Sequence, residues 1–216
     1  MNSFSWDWEA AGEAFPVLLR SFVEITLLLT VVGTIIAAVL GLIWALALRE
    51  LPTPIAKVLA WVLDVIRMTP LPLQAFFLYY VFVQLDVMTI AYIVLGVHYS
   101  TYMAESYRAG IESIRKGQWE AATALSLPKG RTWRAVIIPQ ALRATLPSLG
   151  NWSIAMFKDT PFLIVIGVAE MVTQARRFGA NEFTYVEAFT IAGLIFLAAS
   201  YPTAVLMRRM EKKLAY

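Results

Sequence analysis

The segment FVEITLLLTVVGTIIAAVLGLIWALAL, residues 22–48, carries a single charge, Glu24, close to its start. An α-helix needs roughly 20 apolar residues to cross the ~30 Å hydrocarbon core of a bilayer. This segment therefore predicts a membrane-spanning helix with length to spare for tilt. Because backbone groups inside lipid must pair within their own segment, an apolar run of this length favours an all-α fold.

The rest of the chain agrees with that prediction. Of the 216 residues, 59% are hydrophobic and 15% charged, with a mean hydropathy of +0.66, whereas soluble domains have about 45–50% apolar and about 25% charged residues. We expect one polytopic membrane domain over residues 1–216, and a short interfacial helix at residues 15–19. With the segment above, the predicted spans are residues 22–48, 55–83, 87–107, 149–172 and 185–206.

The basic residues predict the orientation, since loops on the cytoplasmic side of a membrane are enriched in Lys and Arg. Residues 49–57, 108–143 and 208–213 carry most of the 18 Lys and Arg of the chain. The opposite side has only Arg20, Arg176 and Arg177. We therefore expect the N-terminus outside and the C-terminus in the cytoplasm.

Small residues recur at every fourth position of the first span: Gly33, Ala37, Gly41 and Ala45. Such a strip lets another helix backbone approach closely. That helix belongs either to the same bundle or to a second subunit, and the sequence favours neither.

The composition argues against enzyme chemistry in this chain. It contains no Cys and one His, His98, so we expect no metal site and no catalytic residues. The sequence lacks a G-x-x-x-x-G-K-[ST] loop and the H-E-x-x-H and G-x-S-x-G patterns, so no bound cofactor is expected either. His98 is predicted to be buried and bonded to a neighbouring helix. No nucleic-acid partner is expected.

Two predicted spans contain a charged pair followed by Thr-Pro. Asp64 and Arg67 precede T-P-L-P at residues 69–72, and K-D-T-P occupies residues 158–161. A charge at the bilayer centre costs about 2.5–3.5 kcal/mol and commonly marks a pathway, and Pro breaks a helix so that freed backbone groups can line a cavity. The predicted pathway residues are Arg67, Thr69, Gln74, Lys158, Asp159 and Thr160. The competing interpretation is that the charged pairs are structural salt bridges, and Glu105 could likewise pair with Arg108.

The segment GQWEAATALSLPKGRTWRAVIIPQ, residues 117–140, is polar and basic compared with its surroundings. Its pattern predicts a short helix, a turn at S-L-P-K-G, a second short helix, and a third helix that begins at Pro139. Two interpretations remain open from the residues alone. The helices either dock into a groove on a soluble partner or lie on the membrane surface through Trp119 and Trp133.

This segment resembles the EAA loop of ABC importer permeases, E-A-A-x3-G-x9-I-x-L-P, and we call it the EAA segment. The matching positions are Glu120, Ala121, Ala122, Ser126, Val136, Ile138 and Pro139. Ser126 stands where the motif has Gly, which adopts a left-handed turn more easily; Val136 and Ile138 are mild apolar exchanges. IRMTPLPLQAFFLYY, YMAESYRAGIESIRKGQWEAATALSLP and VIIPQALRATLPSLGNWSIAMFKDTPFLIVIGVAEM are similar to the polar amino acid permeases of that superfamily.

The resemblance implies a non-catalytic permease subunit of the bacterial cytoplasmic membrane that moves a polar amino acid or similar zwitterion inward by alternating access. It also implies two cytoplasmic ABC ATPase subunits that bind the ATP, a second permease chain, identical or similar, and an extracytoplasmic solute-binding protein. A compatible solute such as ectoine is the alternative cargo. A channel would not explain an ATPase-docking loop, and a scaffold would not explain two Thr-Pro breaks.

Overall fold

The computed structural model describes residues 5–214, so the first four and last two residues of the predicted domain lie outside the described part. The described residues form helices and turns, with no strand among them. The first helical stretch consists of α1 (Trp8–Ser21), a π-helical turn (Phe22–Thr26) and α2 (Leu27–Glu50), without interruption. The predicted bounds of a short helix at residues 15–19 are therefore wrong, since the helix is longer and continues into α2. Those residues belong to α1, which buries Leu18 in the bundle.

The π-helical turn fastens this first stretch to a distant loop. Ser21 Oγ donates to the carbonyl of Ala169 at 2.8 Å, and the backbone N–H of Met171 donates to Thr26 Oγ1 at 3.1 Å. Ser21, just before the turn, and Thr26, its last residue, thus lie on the helix face that meets residues 169–171.

The second predicted span is broken where its prolines predict. Helix α3 (Thr53–Met68) ends before Thr69, and α4 (Leu71–Val81) begins after Pro70. Both Pro70 and Pro72 lack a backbone N–H, so the hydrogen-bond ladder cannot continue across them. Neither helix reaches the roughly 20 residues of a complete span.

Helix α5 (Val87–Glu112) is the central helix of the bundle and packs against α2, α3, α4 and α8. The small-residue strip of α2 lies against it. A Cβ on Gly41 would come within 2.9 Å of Met103 Cβ and 3.0 Å of the Ser100 carbonyl, and one on Gly33 within 3.3 Å of Leu95 Cβ. The strip is therefore a packing seam within this chain.

The EAA segment forms a helical hairpin at the end of α5. Helix α6 (Lys116–Ala124) is followed by a turn, α7 (Lys129–Arg131), a π-helical turn (Thr132–Ile137) and α8 (Ile138–Asp159). Helix α8 has Pro139 in its first turn, as predicted, but it is not separate from the preceding helix, since residues 129–159 are continuously helical. The N–H of Ile138 bonds to the Trp133 carbonyl, five residues back, and this wider hydrogen-bond register carries the helix across Pro139.

The chain beyond α8 is irregular before it becomes helical again. A 3₁₀ segment (Thr160–Ile166) ends at Gly167, whose φ of +80° is left-handed, and α9 (Met171–Glu182) and α10 (Tyr185–Leu214) follow. Residues 149–172 are consequently not one helix. Within the described residues, the stretches long and apolar enough to cross a membrane are Trp8–Glu50, Val87–Glu112 and Tyr185–Met210. The five-span layout stays a prediction in which two of the spans are interrupted.

Candidate functional site

The side chain of Gln74 forms hydrogen bonds across the break between α3 and α4. Its Nε2 donates to the carbonyl of Ile66 at 2.6 Å and to Thr69 Oγ1 at 2.7 Å. Thr69 Oγ1 in turn donates to the Ile66 carbonyl at 2.9 Å. These bonds satisfy backbone groups that the missing proline N–H groups leave open. Two of the predicted pathway residues, Thr69 and Gln74, therefore stabilise the backbone conformation at the break.

His98 on α5 joins the same polar cluster. The side chain is 7% exposed, and its Nδ1 lies 3.2 Å from Gln74 Oε1 on α4. The prediction of a buried histidine bonded to a neighbouring helix is confirmed. Gln74 consequently contacts His98 of α5 through its amide oxygen and stabilises the break through its amide nitrogen.

Two tyrosines on α5 reach the two breaks. Tyr102 donates its hydroxyl to the backbone carbonyl of Arg67 at 3.2 Å, at the end of α3. Tyr99 donates to Asp159 Oδ2 at 2.7 Å, at the end of α8. The two rings lie 5.9 Å apart, because residues three apart share a helix face. One face of α5 therefore links both Thr-Pro breaks.

Sequence reasoning missed Tyr99 and Tyr102. They resemble the other aromatic residues of an apolar span, and nothing local shows that their hydroxyls are used. Their spacing of three residues was the one indication in the sequence, because it places both rings on one side of the helix. Both rings also lie close to the ring of His98.

The second break places its predicted residues in three different environments. Lys158 is exposed, Asp159 is half-buried beside Tyr99, and Thr160 is fully buried with its Oγ1 donating to the Phe157 carbonyl at 2.9 Å. No ion pair joins Lys158 to Asp159 in the described part of the chain: Lys158 is exposed, whereas Asp159 accepts the hydrogen bond of the Tyr99 hydroxyl. The salt-bridge interpretation is wrong for this pair.

Charges of both signs surround Arg67. It lines a groove of about 530 Å³ between α2, α3 and α5, together with Asp64, Glu105 and Arg108. It also lines a second groove of about 520 Å³ beside α8, where Tyr102 and Glu105 contribute to the wall. Ion pairs join Arg67 to Asp64 and Arg108 to Glu105, which agrees with the competing salt-bridge interpretation of both pairs. Both grooves fall within the ~300–1,000 Å³ range of small-molecule sites.

In the EAA segment, α6 ends with a left-handed residue at Ser126, whose φ is +51°. The N–H of Leu127 bonds to the Ala122 carbonyl at 3.0 Å, and that of Ser126 to the Thr123 carbonyl at 2.9 Å. This pair of bonds is a Schellman motif, which ordinarily has Gly at the left-handed position. The chain thus makes the turn that the motif's glycine would favour, but with a serine.

Some of the residues that match the EAA motif are exposed, and others are buried. Glu120 and Ala121 are exposed, and Glu120 Oε1 lies 3.4 Å from Lys116 Nζ one turn earlier. Ala122 is 3% exposed on the inner side of α6. Pro139 is exposed in the first turn of α8. The outward surface of α6 therefore presents Glu120 and Ala121, with Leu125 beside them at 73% exposure.

The two tryptophans of the EAA segment contact each other and Arg49, the penultimate residue of α2. The Arg49 guanidinium carbon lies 4.8 Å from the Trp133 ring centre and 5.5 Å from that of Trp119. The rings meet edge to face at 5.5 Å. Their position is thus explained by contacts within the chain, an alternative that the sequence did not suggest.

Comparison with known proteins covers nearly the whole chain. The family model described as binding-protein-dependent transport system inner membrane component matches residues 17–216. A probable amino-acid ABC transporter permease protein of Sinorhizobium fredii is 36% identical over 99% of this chain and 96% of its own length. The glutamine transport system permease protein of Escherichia coli is 35% identical over 97% and 98%. The solved structure of an amino acid ABC transporter with histidines covers 97% of this chain and 100% of its own, with 31% identity and a TM-score of 0.89.

Proposed function

Because the chain belongs to the family of binding-protein-dependent transport system inner membrane components, we propose that it forms the path by which an importer moves a polar amino acid or similar zwitterion into the cytoplasm. It is a permease subunit of the amino-acid ABC transporter type, embedded in the membrane by its apolar helices. Family membership sets aside the channel and scaffold interpretations. The observation that carries the proposal is the pair of helix breaks joined by α5.

The path follows the two breaks. A zwitterion carries a carboxylate and an ammonium group, so a protected site for it needs partners of both signs. Arg67 lines two grooves and is the partner for the carboxylate. Asp159, half-buried and held by Tyr99, is the partner for the ammonium group. Lys158, exposed beside it, adds a second positive charge near the path.

Thr69, Gln74 and Thr160 have a supporting role in this proposal. Their side chains are bonded to backbone carbonyls or to each other, so they set the course of the backbone at the two breaks. Interrupted helices can change their angle at the interruption with little loss of internal hydrogen bonding. Alternating access would then consist of a tilt of α4 and of the end of α8 relative to α5.

The driving force comes from partner proteins. Two cytoplasmic ABC ATPase subunits bind and hydrolyse ATP, and dock on the outward surface of α6 formed by Glu120, Ala121 and Leu125. Exposure of these residues supports this placement. Ser126 and Pro139 shape the hairpin around that surface. The chain itself binds no cofactor.

Further partners complete the transporter. A second permease chain, identical or similar, packs beside this one, and a solute-binding protein delivers the cargo from outside. The N-terminus lies outside and the C-terminus in the cytoplasm. The distribution of Lys and Arg supports this orientation, since residues 108–143 and 208–213 are the basic parts of the chain.

Uptake in reconstituted vesicles tests the proposal. The chain would be assembled with its ATPase, second permease and binding-protein partners and supplied with a panel of labelled amino acids and the compatible solute ectoine. We expect ATP-dependent accumulation of at least one polar amino acid. ATP-dependent uptake of ectoine alone would contradict the proposed cargo, and an absence of ATP-dependent uptake of every solute would contradict the importer function.

A further inference from the structure

Arg49 lies where three helical elements meet. It lies in the last turn of α2, while the rings it covers belong to α6 (Trp119) and to the π-helical turn before α8 (Trp133). Its ion pair with neighbouring Glu50 is loose, at 3.9 Å. The closest contacts of the guanidinium group are therefore those with the two tryptophan rings. Arg is suited to this, since its planar group is weakly hydrated and stacks on aromatic faces.

The α2 helix that carries Arg49 is itself closely packed on α5. At Gly41, the space where a Cβ would stand is already occupied by Met103, Ala104 and Ser100 at 2.9–3.0 Å. Close-packed helices of this kind shift together more readily than they slide. Arg49 thus connects α6 to a rigid α2–α5 pair.

The α5 helix then contacts both breaks through Tyr99 and Tyr102. A contiguous set of contacts therefore runs from Trp119 through Arg49, the α2–α5 seam and the two tyrosines to Asp159 and the Arg67 carbonyl. A second connection from the EAA segment, through α8, is already provided by the covalent chain. The contacts through Arg49 are separate from it.

We infer that Arg49 is a positioning residue that makes α6 move together with α2, so that a movement of the EAA segment reaches α5 as well as α8. The inference rests on the proposed function for its consequence in transport. Its structural part, the coupling of α6 to α2, applies to the chain alone.

Spin-label distances test the structural part in the full chain in lipid nanodiscs. The chain contains no Cys, so Leu46→Cys on α2 and Ala124→Cys on α6 provide two unique label sites, both exposed. We expect a single narrow distance distribution that broadens in Arg49→Ala and is partly restored in Arg49→Lys, which keeps the cation. Trp133→Phe, which keeps an aromatic face, should broaden it less than Trp133→Ala. Distributions in Arg49→Ala and Trp133→Ala that match the native one would overturn the inference.

Transport measurements test the consequence in the assembled complex. In Arg49→Ala, solute taken up per ATP hydrolysed should fall about fivefold or more, the size expected for loss of an interaction of this class. Arg208→Ala, which removes an exposed charge from α10, is the matched control and should leave that ratio unchanged. An unchanged ratio in Arg49→Ala would overturn the inference. If the native complex takes up nothing, the proposed function fails, and the label distances still decide whether α6 is coupled to α2.

Discussion

The hydroxyl of Tyr99 lies 2.7 Å from a carboxylate oxygen of Asp159, and this hydrogen bond connects the central helix to the second helix break. Hydrogen bonds to a charged partner contribute about 1.5–3 kcal/mol, more than neutral ones. Within residues 5–214, no hydrogen bond to the second carboxylate oxygen of Asp159 is found. Asp159 is thereby fixed in place with acceptor capacity to spare, which is the arrangement that an ammonium-binding group needs.

Tyr99→Phe is therefore expected to release Asp159 without removing ring packing. We expect at least a several-fold rise in the solute concentration for half-maximal uptake, and a loss of about 1–3 kcal/mol in the free energy of unfolding. Uptake and denaturant unfolding of the same preparation measure both. Tyr107→Phe on the same helix is the control, since no hydrogen bond of its hydroxyl is found within residues 5–214. Equal effects of the two variants would argue against a role for the Tyr99 bond.

Ser126→Gly should stabilise the end of α6. A left-handed φ of +51° costs a residue with a Cβ about 1–2 kcal/mol, and Gly avoids that cost. Slower hydrogen exchange of the amides of residues 126 and 127, whose bonds close the turn, would be the direct observation. Ser113→Gly serves as the control, because Ser113 has a helical φ of −69° and should gain nothing. Faster exchange in Ser126→Gly would contradict the explanation.

Glu120→Lys is expected to abolish solute-stimulated ATP hydrolysis in the assembled complex while the chain stays folded. The side chain is 64% exposed, so its replacement affects the outward surface of α6 far more than the packing. The double variant Lys116→Glu and Glu120→Lys restores the ion pair within α6 but keeps the reversed charge at residue 120. If that double variant recovers normal ATP hydrolysis, the role of Glu120 is within α6 and docking is not involved.

Bulky substitutions at Ala122 should act differently from those at Glu120. Ala122 is 3% exposed, and overpacking a closed site costs about 1–3 kcal/mol. Ala122→Leu should therefore lower both the thermal stability of the EAA segment and ATP hydrolysis, whereas Ala121→Leu, on the exposed face, should lower ATP hydrolysis alone. Thermal unfolding and ATPase assays of the two variants separate these effects.

Gly41→Ala tests the α2–α5 seam. The added methyl group would approach Met103 Cβ and a backbone carbonyl at 2.9–3.0 Å, so we expect a loss of about 1–3 kcal/mol of stability. Gly12→Ala, in α1 with nothing within 4 Å, is the control and should be neutral or stabilising by up to ~1 kcal/mol, the helix preference of Ala over Gly. Thermal unfolding in detergent measures both. A neutral result for Gly41→Ala would mean that the two helices can separate at little cost.

The features that the sequence predicted correctly depend on short stretches of chain. Pro70 and Pro72 break the second span because they lack an N–H, whatever surrounds them. Asp64 and Arg67 form the salt bridge that was the competing interpretation, because they lie three apart on one helix. Each prediction needed only neighbouring residues and the elementary geometry of a helix.

The errors arose where tertiary packing prevailed over a local pattern. Residues 15–19 suggested a short helix, but the helix runs from Trp8 into α2, with Leu18 buried in the bundle. Lys158 and Asp159 suggested a charge pair, but Asp159 meets Tyr99. Trp119 and Trp133 suggested a membrane surface, but they contact each other and Arg49.

By itself, the sequence determined the all-α membrane class, the positions of both breaks and the matched residues of the EAA segment. Only the tertiary structure decided which side chains meet across the bundle: Tyr99 with Asp159, 60 residues apart, and Tyr102 with the Arg67 carbonyl, 35 residues apart. The physical reason is the distance along the chain over which each effect acts. Helix propensity, proline chemistry and apolar length act within a few turns of one segment, whereas a hydrogen bond between helices depends on their relative rotation, which is set here by the packing of α5 against α3 and α8.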